Sequence, residues 1–212
     1  MVSTDAGYSA SVGGTCGGTF SSGTFTTNAI IADCTVSATF TLNLAFLAVQ
    51  SRKIHGATPY DIAIDTTIGA PATVEPRTIG TGHTIVFQFN VPITAAGTAS
   101  VVDANSAPIG VVSTSASGND VIVTVTAVPD NRRVVISLTG VNGTGSATAQ
   151  IGFLTGDINN TRSVNSADIS GVKARSGQAT TAANFKFDLN ASGAINAADI
   201  SAVKARSGLS LP

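Results

Sequence analysis

Charge is scarce in this chain. Asp, Glu, Lys and Arg make up 11% of its 212 residues, against about a quarter in an ordinary globular protein. There is no Trp, one Glu (Glu75) and two His (His55 and His83). That is a thin stock for acid–base chemistry. No GxSxG elbow accompanies the Ser, His and Asp residues, so a hydrolase has no support. The chain is read as non-enzymatic. A net charge of −1 gives no electrostatic pull toward nucleic acid or anionic lipid. Mean hydropathy is positive, at +0.32, yet no apolar run is long enough to span a bilayer. The greasiest stretch, TLNLAFLAV at 41–49, carries Asn43 and ends at Gln50. Exposed aromatic platforms for sugars are also poorly provided, with two Tyr and nine Phe.

Cysteine is nearly absent too. Cys16 and Cys34 lie in one Gly/Thr-rich segment. In a secreted protein they read as a disulfide; free buried thiols are the alternative. No CxxC or nearby His completes a zinc site. The chain opens on Met1 and polar, β-like VSTDAGYSASV. That opening is expected of a secreted or cell-surface chain after signal removal, or of an excised fragment.

Three segments are expected. In residues 1–43, a small disulfide-stapled β unit, CTVSATFTL (34–42) alternates with Cys34, Val36, Ala38, Phe40 and Leu42 on one face. GYSASV (7–12) and GTFTT (23–27) are its expected partners. Residues 44–154 carry strand patterns at 84–93, 98–103, 108–115, 120–128, 132–141 and 147–153, separated by turn signals. Such spacing predicts an immunoglobulin-like β-sandwich. Within it, SRKIHG (51–56) reads as a polar junction between domains. His83 reads as a loop residue, and Asp61, Asp65 and Glu75 as solvated loop acids.

In residues 155–212 the alternation stops and one phrase is written twice. TGDINNTRSVNSADISGVKARSG (155–177) returns as KFDLNASGAINAADISAVKARSG (186–208). A supersecondary unit used twice is implied. Counted from the first Asp, oxygen-bearing side chains fall at positions 1, 3, 5 and 12. They are Asp157, Asn159, Thr161 and Asp168, then Asp188, Asn190, Ser192 and Asp199. Calcium needs six to eight hard oxygen ligands, and an EF-hand-like loop supplies them at this spacing. The backbone carbonyl at position 7 would come from Ser163 and Ala194. Two Ca2+ ions are expected. Asn165 and Asn196 then read as helix N-caps, Ile169/Val172 and Ile200/Val203 as apolar faces, and Gly177 and Gly208 as stops. In their plainest structural role, Asp168 and Asp199 would only cap helices and Asp157 and Asp188 only form turns.

The doubled phrase resembles a type I dockerin, with Asp157, Asn159, Asp168, Ile169 and Lys173 on the family pattern and Asp188, Asn190, Asp199, Ile200 and Lys204 repeating it. The resemblance covers about 155–210 and implies a paired loop–helix, all-α module. It also implies docking onto a cohesin-like partner through Ser166, Ala167, Lys173, Ala197, Ala198 and Lys204. The chain departs from the pattern at position 5, where Thr161 and Ser192 replace the usual Asp. Position 6 is Arg162 in the first copy and Gly193 in the second. A sharp turn there prefers Gly, so the second loop is expected to bind tighter. GYSASVGGTCGGTFSSGTFTTNAIIADCTVSATF is similar to a β-repeat of large bacterial surface and secreted proteins. The run from SRKIHG onward resembles the C-terminal region of secreted bacterial proteins in which a sandwich leads into a dockerin-like pair. The expected function is extracellular protein–protein attachment or assembly. The alternative is a homopolymeric fibre subunit assembled with copies of itself by strand addition.

Overall fold

The computed structural model describes residues 2–5, 7–67 and 70–212, which fall into two compact units, one up to Ala45 and one from Phe46 to Pro212. The chain is mainly β, with two short α-helices among the described residues.

In the first unit, β1 (Tyr8–Gly13) pairs antiparallel with β4 (Ser37–Leu42). β2 (Gly18–Ser21) and β3 (Thr24–Thr27) form a hairpin of their own. GTFTT therefore does not pair with 34–42 as expected. Its partner is the strand just before it, because Ser22 (φ 50°) and Gly23 (φ 76°) supply the two left-handed residues of a tight hairpin turn. Cys16 and Cys34 are joined in a disulfide, with Cα atoms 4.8 Å apart. The alternation over 34–42 buries little. Val36 precedes the strand, and both it and Phe40 are 49% exposed. The covalent link thus stands in a unit without a deep core.

The second unit begins with β5 (Phe46–His55), β6 (Thr58–Ala63), β7 (Thr73–Glu75) and β8 (His83–Phe89). It continues with β9 (Thr98–Asp103), β10 (Val111–Ser117), β11 (Asp120–Thr126), β12 (Arg132–Val141) and β13 (Gly145–Phe153). One sheet has the order β10-β11-β8-β5-β6 and the other β7-β13-β12-β9. All pairings are antiparallel except β7 with β13. The period-2 pattern decides what is buried. Val121, Val123 and Val125 on β11, and Val134, Ile136 and Leu138 on β12, are almost fully shielded, with Ile85, Phe87 and Ile151 beside them. The arrangement is sandwich-like, two sheets each burying one face.

SRKIHG, read as a polar junction, is built into a strand, and its His55 and Gly56 meet the second repeat at Asp188 and Ala191. It lies on β5, hydrogen-bonded between β8 and β6, with Ser51 and His55 buried. His83 opens β8 and is buried, its ring stacked on Phe153 with centroids 4.2 Å apart. Glu75 is fully buried rather than a solvated loop acid.

β13 runs through Leu154 directly into the first repeat. Helix α1 (Ser166–Lys173) and helix α2 (Ala197–Ala205) each start with a capping box, Asn165 with Asp168 and Asn196 with Asp199. A short 3-10 turn, Phe185–Phe187, precedes the second loop. The repeats interlock. Val164 donates its N–H to Leu209 and accepts from Gly208, both at 2.8 Å. Ile195 does the same with Gln178 (2.9 Å) and Gly177 (2.8 Å). Each loop is thereby closed by the chain just past the other copy's helix. The small core beneath them combines Val164, Val172, Leu189, Ile195 and Val203 with Val74 and Leu154 from the sheets. The repeats do not supply a complete core alone.

Burial pushes the His83 ring down to about 3, against the opposing charge of Glu75. In an unfolded chain a His titrates near about 6.5. Below that pH the unfolded state takes up a proton that the folded state refuses. Stability should therefore fall with acidification, by about 1.4 kcal/mol per pH unit across that window. Melting curves between pH 6.5 and 4.5 at fixed calcium should show a flatter pH dependence for His83→Phe than for the parent chain. Equal slopes would refute the assignment.

Candidate metal centre

Each repeat folds its oxygen atoms toward one another. In the first loop, Thr161 donates its N–H to Asp157 Oδ1 (3.0 Å) and to Asn159 Oδ1 (3.2 Å). The Thr161 hydroxyl lies 2.7 Å from Asn159 Oδ1 and 3.2 Å from the Ser163 carbonyl. The second loop repeats this with Ser192 against Asp188 Oδ1 (3.0 Å), Asn190 Oδ1 (3.1 Å) and the Ala194 carbonyl (3.1 Å). Positions 1, 3, 5 and 7 therefore converge in both copies. Position 12 closes the loop from the following helix. Asp168 accepts from Ile158 N (3.1 Å) and Asn165 N (2.9 Å). Asp199 accepts from Leu189 N (2.8 Å) and Asn196 N (2.8 Å). Both thus hold the capping role and the loop-closing place together.

The donor set is hard oxygen throughout: two carboxylates, an amide, a hydroxyl and a carbonyl per loop. Such a set suits calcium, which accepts neutral and charged oxygens in a flexible shell. Position 6 is left-handed in both copies, Arg162 at φ 65° and Gly193 at φ 95°. The first loop therefore carries a side chain where Gly is cheaper by about 1 kcal/mol.

The Asp at position 1 differs between copies. Burial, the largest influence, pushes the Asp157 carboxyl above its ordinary range, and the nearby Asp168 charge adds to this against the N–H groups of Arg162 and Thr161. Burial acts the same way on Asp188. There the hydrogen bonds from His55, Thr180, Gly193 and Ser192 outweigh it, and the carboxyl is held below its ordinary range.

The source of that difference is a buried polar network running in from the sheets. Arg77 is 1% exposed and uses all its N–H donors. Its Nε and Nη2 donate to the Glu75 carboxylate at 2.7 and 2.6 Å, and Nη2 also donates to Ser51 O at 2.9 Å. Nη1 donates to Tyr60 O (2.9 Å) and faces His55 Nε2 (3.2 Å). His55 Nδ1 lies 2.8 Å from Asp188 Oδ2. Phe185, in the turn just before the second loop, stacks on Tyr60 at 5.2 Å. Glu75 is ionised despite burial, because Arg77 outweighs the desolvation. The sequence marked the segment of Ser51 and His55 as a polar junction and Glu75 as a solvated acid, but gave Arg77 and Thr180 no role. The available signal was a polar stripe at strand spacing, with Ser51, Lys53 and His55 alternating after Val49. A stripe of that kind inside a sheet needs buried partners.

The positions expected to meet a partner, Ser166, Ala167, Lys173, Ala197, Ala198 and Lys204, are all exposed. Val172 and Val203 face inward and are fully buried. The helices thus present their outer faces while packing through their inner ones.

Removing Arg77 would strand the Glu75 charge in the interior, which typically costs about 3–5 kcal/mol. Arg77→Met should accordingly lower the melting temperature by about 10 °C. The double change Glu75→Leu with Arg77→Met should be less damaging than Arg77→Met alone, as calorimetric melting of the three variants will show.

Residues 155–206 match the family profile of the dockerin type I domain. No curated protein matches the chain. Dockerin domains bind calcium and dock onto cohesins, so the repeated oxygen cage and the family match point to the same ion.

Proposed function

We propose that residues 155–212 form a calcium-loaded attachment module that docks onto a cohesin-like protein, carried by a secreted or cell-surface bacterial protein without catalytic activity of its own. On this reading the sheets of 46–154 are an immunoglobulin-like sandwich that serves as its support. The observation that carries the reading is the doubled cage. Two loops separated in sequence gather the same oxygen types at the same positions and end in the same capped helix. Turn formation or helix capping alone would not require that agreement.

Asp157, Asn159, Thr161, the Ser163 carbonyl and Asp168 would hold one ion. Asp188, Asn190, Ser192, the Ala194 carbonyl and Asp199 would hold the other. Bound calcium supplies positive charge that offsets the paired carboxylates of each loop. Folding of the module is then linked to ion capture. Each loop offers two acids rather than three, so affinity falls below that of a fully acidic loop. The exposed Ser166, Ala167 and Lys173, with Ala197, Ala198 and Lys204, are the surface offered to the partner.

Calorimetric calcium titration should find about two sites. Asp188→Ala should abolish the tighter and Asp157→Ala the weaker. Chelator should lower the melting temperature of the parent chain. A parent chain that takes up no calcium overturns the reading. Calcium-driven self-association in sedimentation, without capture of a cohesin, would replace the docking role with a polymeric one.

A further inference from the structure

The two loops are written alike but held differently. Among the described residues, both oxygens of Asp157 take donors only from their own loop: Oδ1 from Thr161 (3.0 Å) and Oδ2 from the Arg162 N–H (2.6 Å). Asp188 Oδ1 matches this, accepting from Ser192 within the loop at 3.0 Å. Its Oδ2 is different. Besides the Gly193 N–H at 2.8 Å, it accepts from the Thr180 hydroxyl at 2.8 Å and meets His55 Nδ1 at 2.8 Å. His55 belongs to β5, more than a hundred residues away in sequence.

The proton on that histidine is assigned by its other neighbour. A guanidinium can only donate. Nε2 opposite Arg77 Nη1 must therefore accept, and Nδ1 carries the hydrogen that points at Asp188. Arg77 is fixed by Glu75, Ser51 and Tyr60, and the ring is flanked edge-on by Tyr60 at 5.4 Å and Phe185 at 6.1 Å. The turn after β5 and the segment after β7 each add a backbone link to the same loop. Gly56 donates to Ala191 O at 3.1 Å, and its Cα lies 3.4 Å from where a Cβ on Gly193 would sit. Thr78 N donates to Leu189 O at 2.8 Å.

We propose that His55 is a positioning residue for calcium in the second loop: its Nδ1–H, with Thr180, fixes the outer oxygen of Asp188 so that the inner oxygen faces the cage. The tighter site is then built jointly by the repeat and the sheet, while the first loop orients its own aspartate unaided. This rests on the calcium reading above. Outer donors that orient a ligating group typically change metal affinity about 10–100-fold when removed.

The test uses the full chain. In an Asp157→Ala background only the second loop titrates. There His55→Phe should weaken calcium binding at least about 10-fold. His55→Asn, whose amide can reach the place of Nδ1, should recover most of the loss. Thr180→Val should weaken binding several-fold. In an Asp188→Ala background, His55→Phe should leave the first loop's affinity unchanged. A second readout needs no metal: nitrogen NMR of the calcium-free chain should show His55 as the Nδ1–H tautomer. The proposal is overturned if His55→Phe leaves the second loop unchanged, weakens both loops equally, or is not rescued by Asn. It is equally overturned by an Nε2–H tautomer. In any of these cases the parent chain still binding two ions keeps the calcium reading intact. Absence of calcium uptake by the parent overturns both.

Discussion

The unit from Phe46 to Pro212 depends on a single buried guanidinium. Arg77 reaches Glu75, Ser51 and Tyr60 on the sheet side and His55 toward the repeats. A buried ion pair gives little net stability compared with well-packed apolar residues, but it tolerates no missing member. Its worth lies in direction. A planar fork with every donor engaged fixes the rotation of the imidazole next to it, and so the orientation of the carboxylate beyond. Apolar packing gives no such angular control. The neighbouring contacts are consistent with this, since Phe185 stacks on Tyr60 and Val74 and Leu154 complete the core under the loops.

Two nearly identical phrases therefore acquire different electrostatics from their surroundings. Asp157 and Asp188 occupy the same place in their loops and are both buried. One carboxyl is pushed up and the other held down. The repeat supplies the donor types, and the sheet supplies the asymmetry. The first copy also carries Arg162 in a left-handed conformation that the second gives to glycine. Backbone cost is divided, since at the fourth position the second loop holds Ala191 left-handed (φ 56°) where the first has the more tolerant Asn160 (φ 61°). The outer hydrogen bonds are what single out the second loop.

The local grammar of the chain was legible before any coordinates. Position-by-position agreement between the copies foretold the converging oxygens and the capped helices, because loop turns and capping residues sit at fixed short spacing. The disulfide was legible from two lone cysteines. The strands over 84–153 followed from period-2 alternation, which burial of Val121 to Val125 on β11 makes plain. Long-range pairing was legible only in part, since GYSASV meets 34–42 as expected. GTFTT found a hairpin partner rather than a distant strand, since loop closure favours the near one. Glu75 looked solvated because polarity alone does not tell a buried, satisfied group from a wet one, and nothing local marked Arg77 as its partner. Their other partners lie on other strands, and no local pattern announces them.

The reciprocal pairing of Val164 with the end of the second copy, and of Ile195 with the end of the first, has a consequence for the linker between them. Ala182 and Ala183 are exposed there, while the pairings on either side are not local. A protease cutting between those alanines would leave two pieces still zipped together through each other's tails. Cleavage at that point would therefore be silent in any assay that reads shape, and visible only when the pieces are weighed after denaturation.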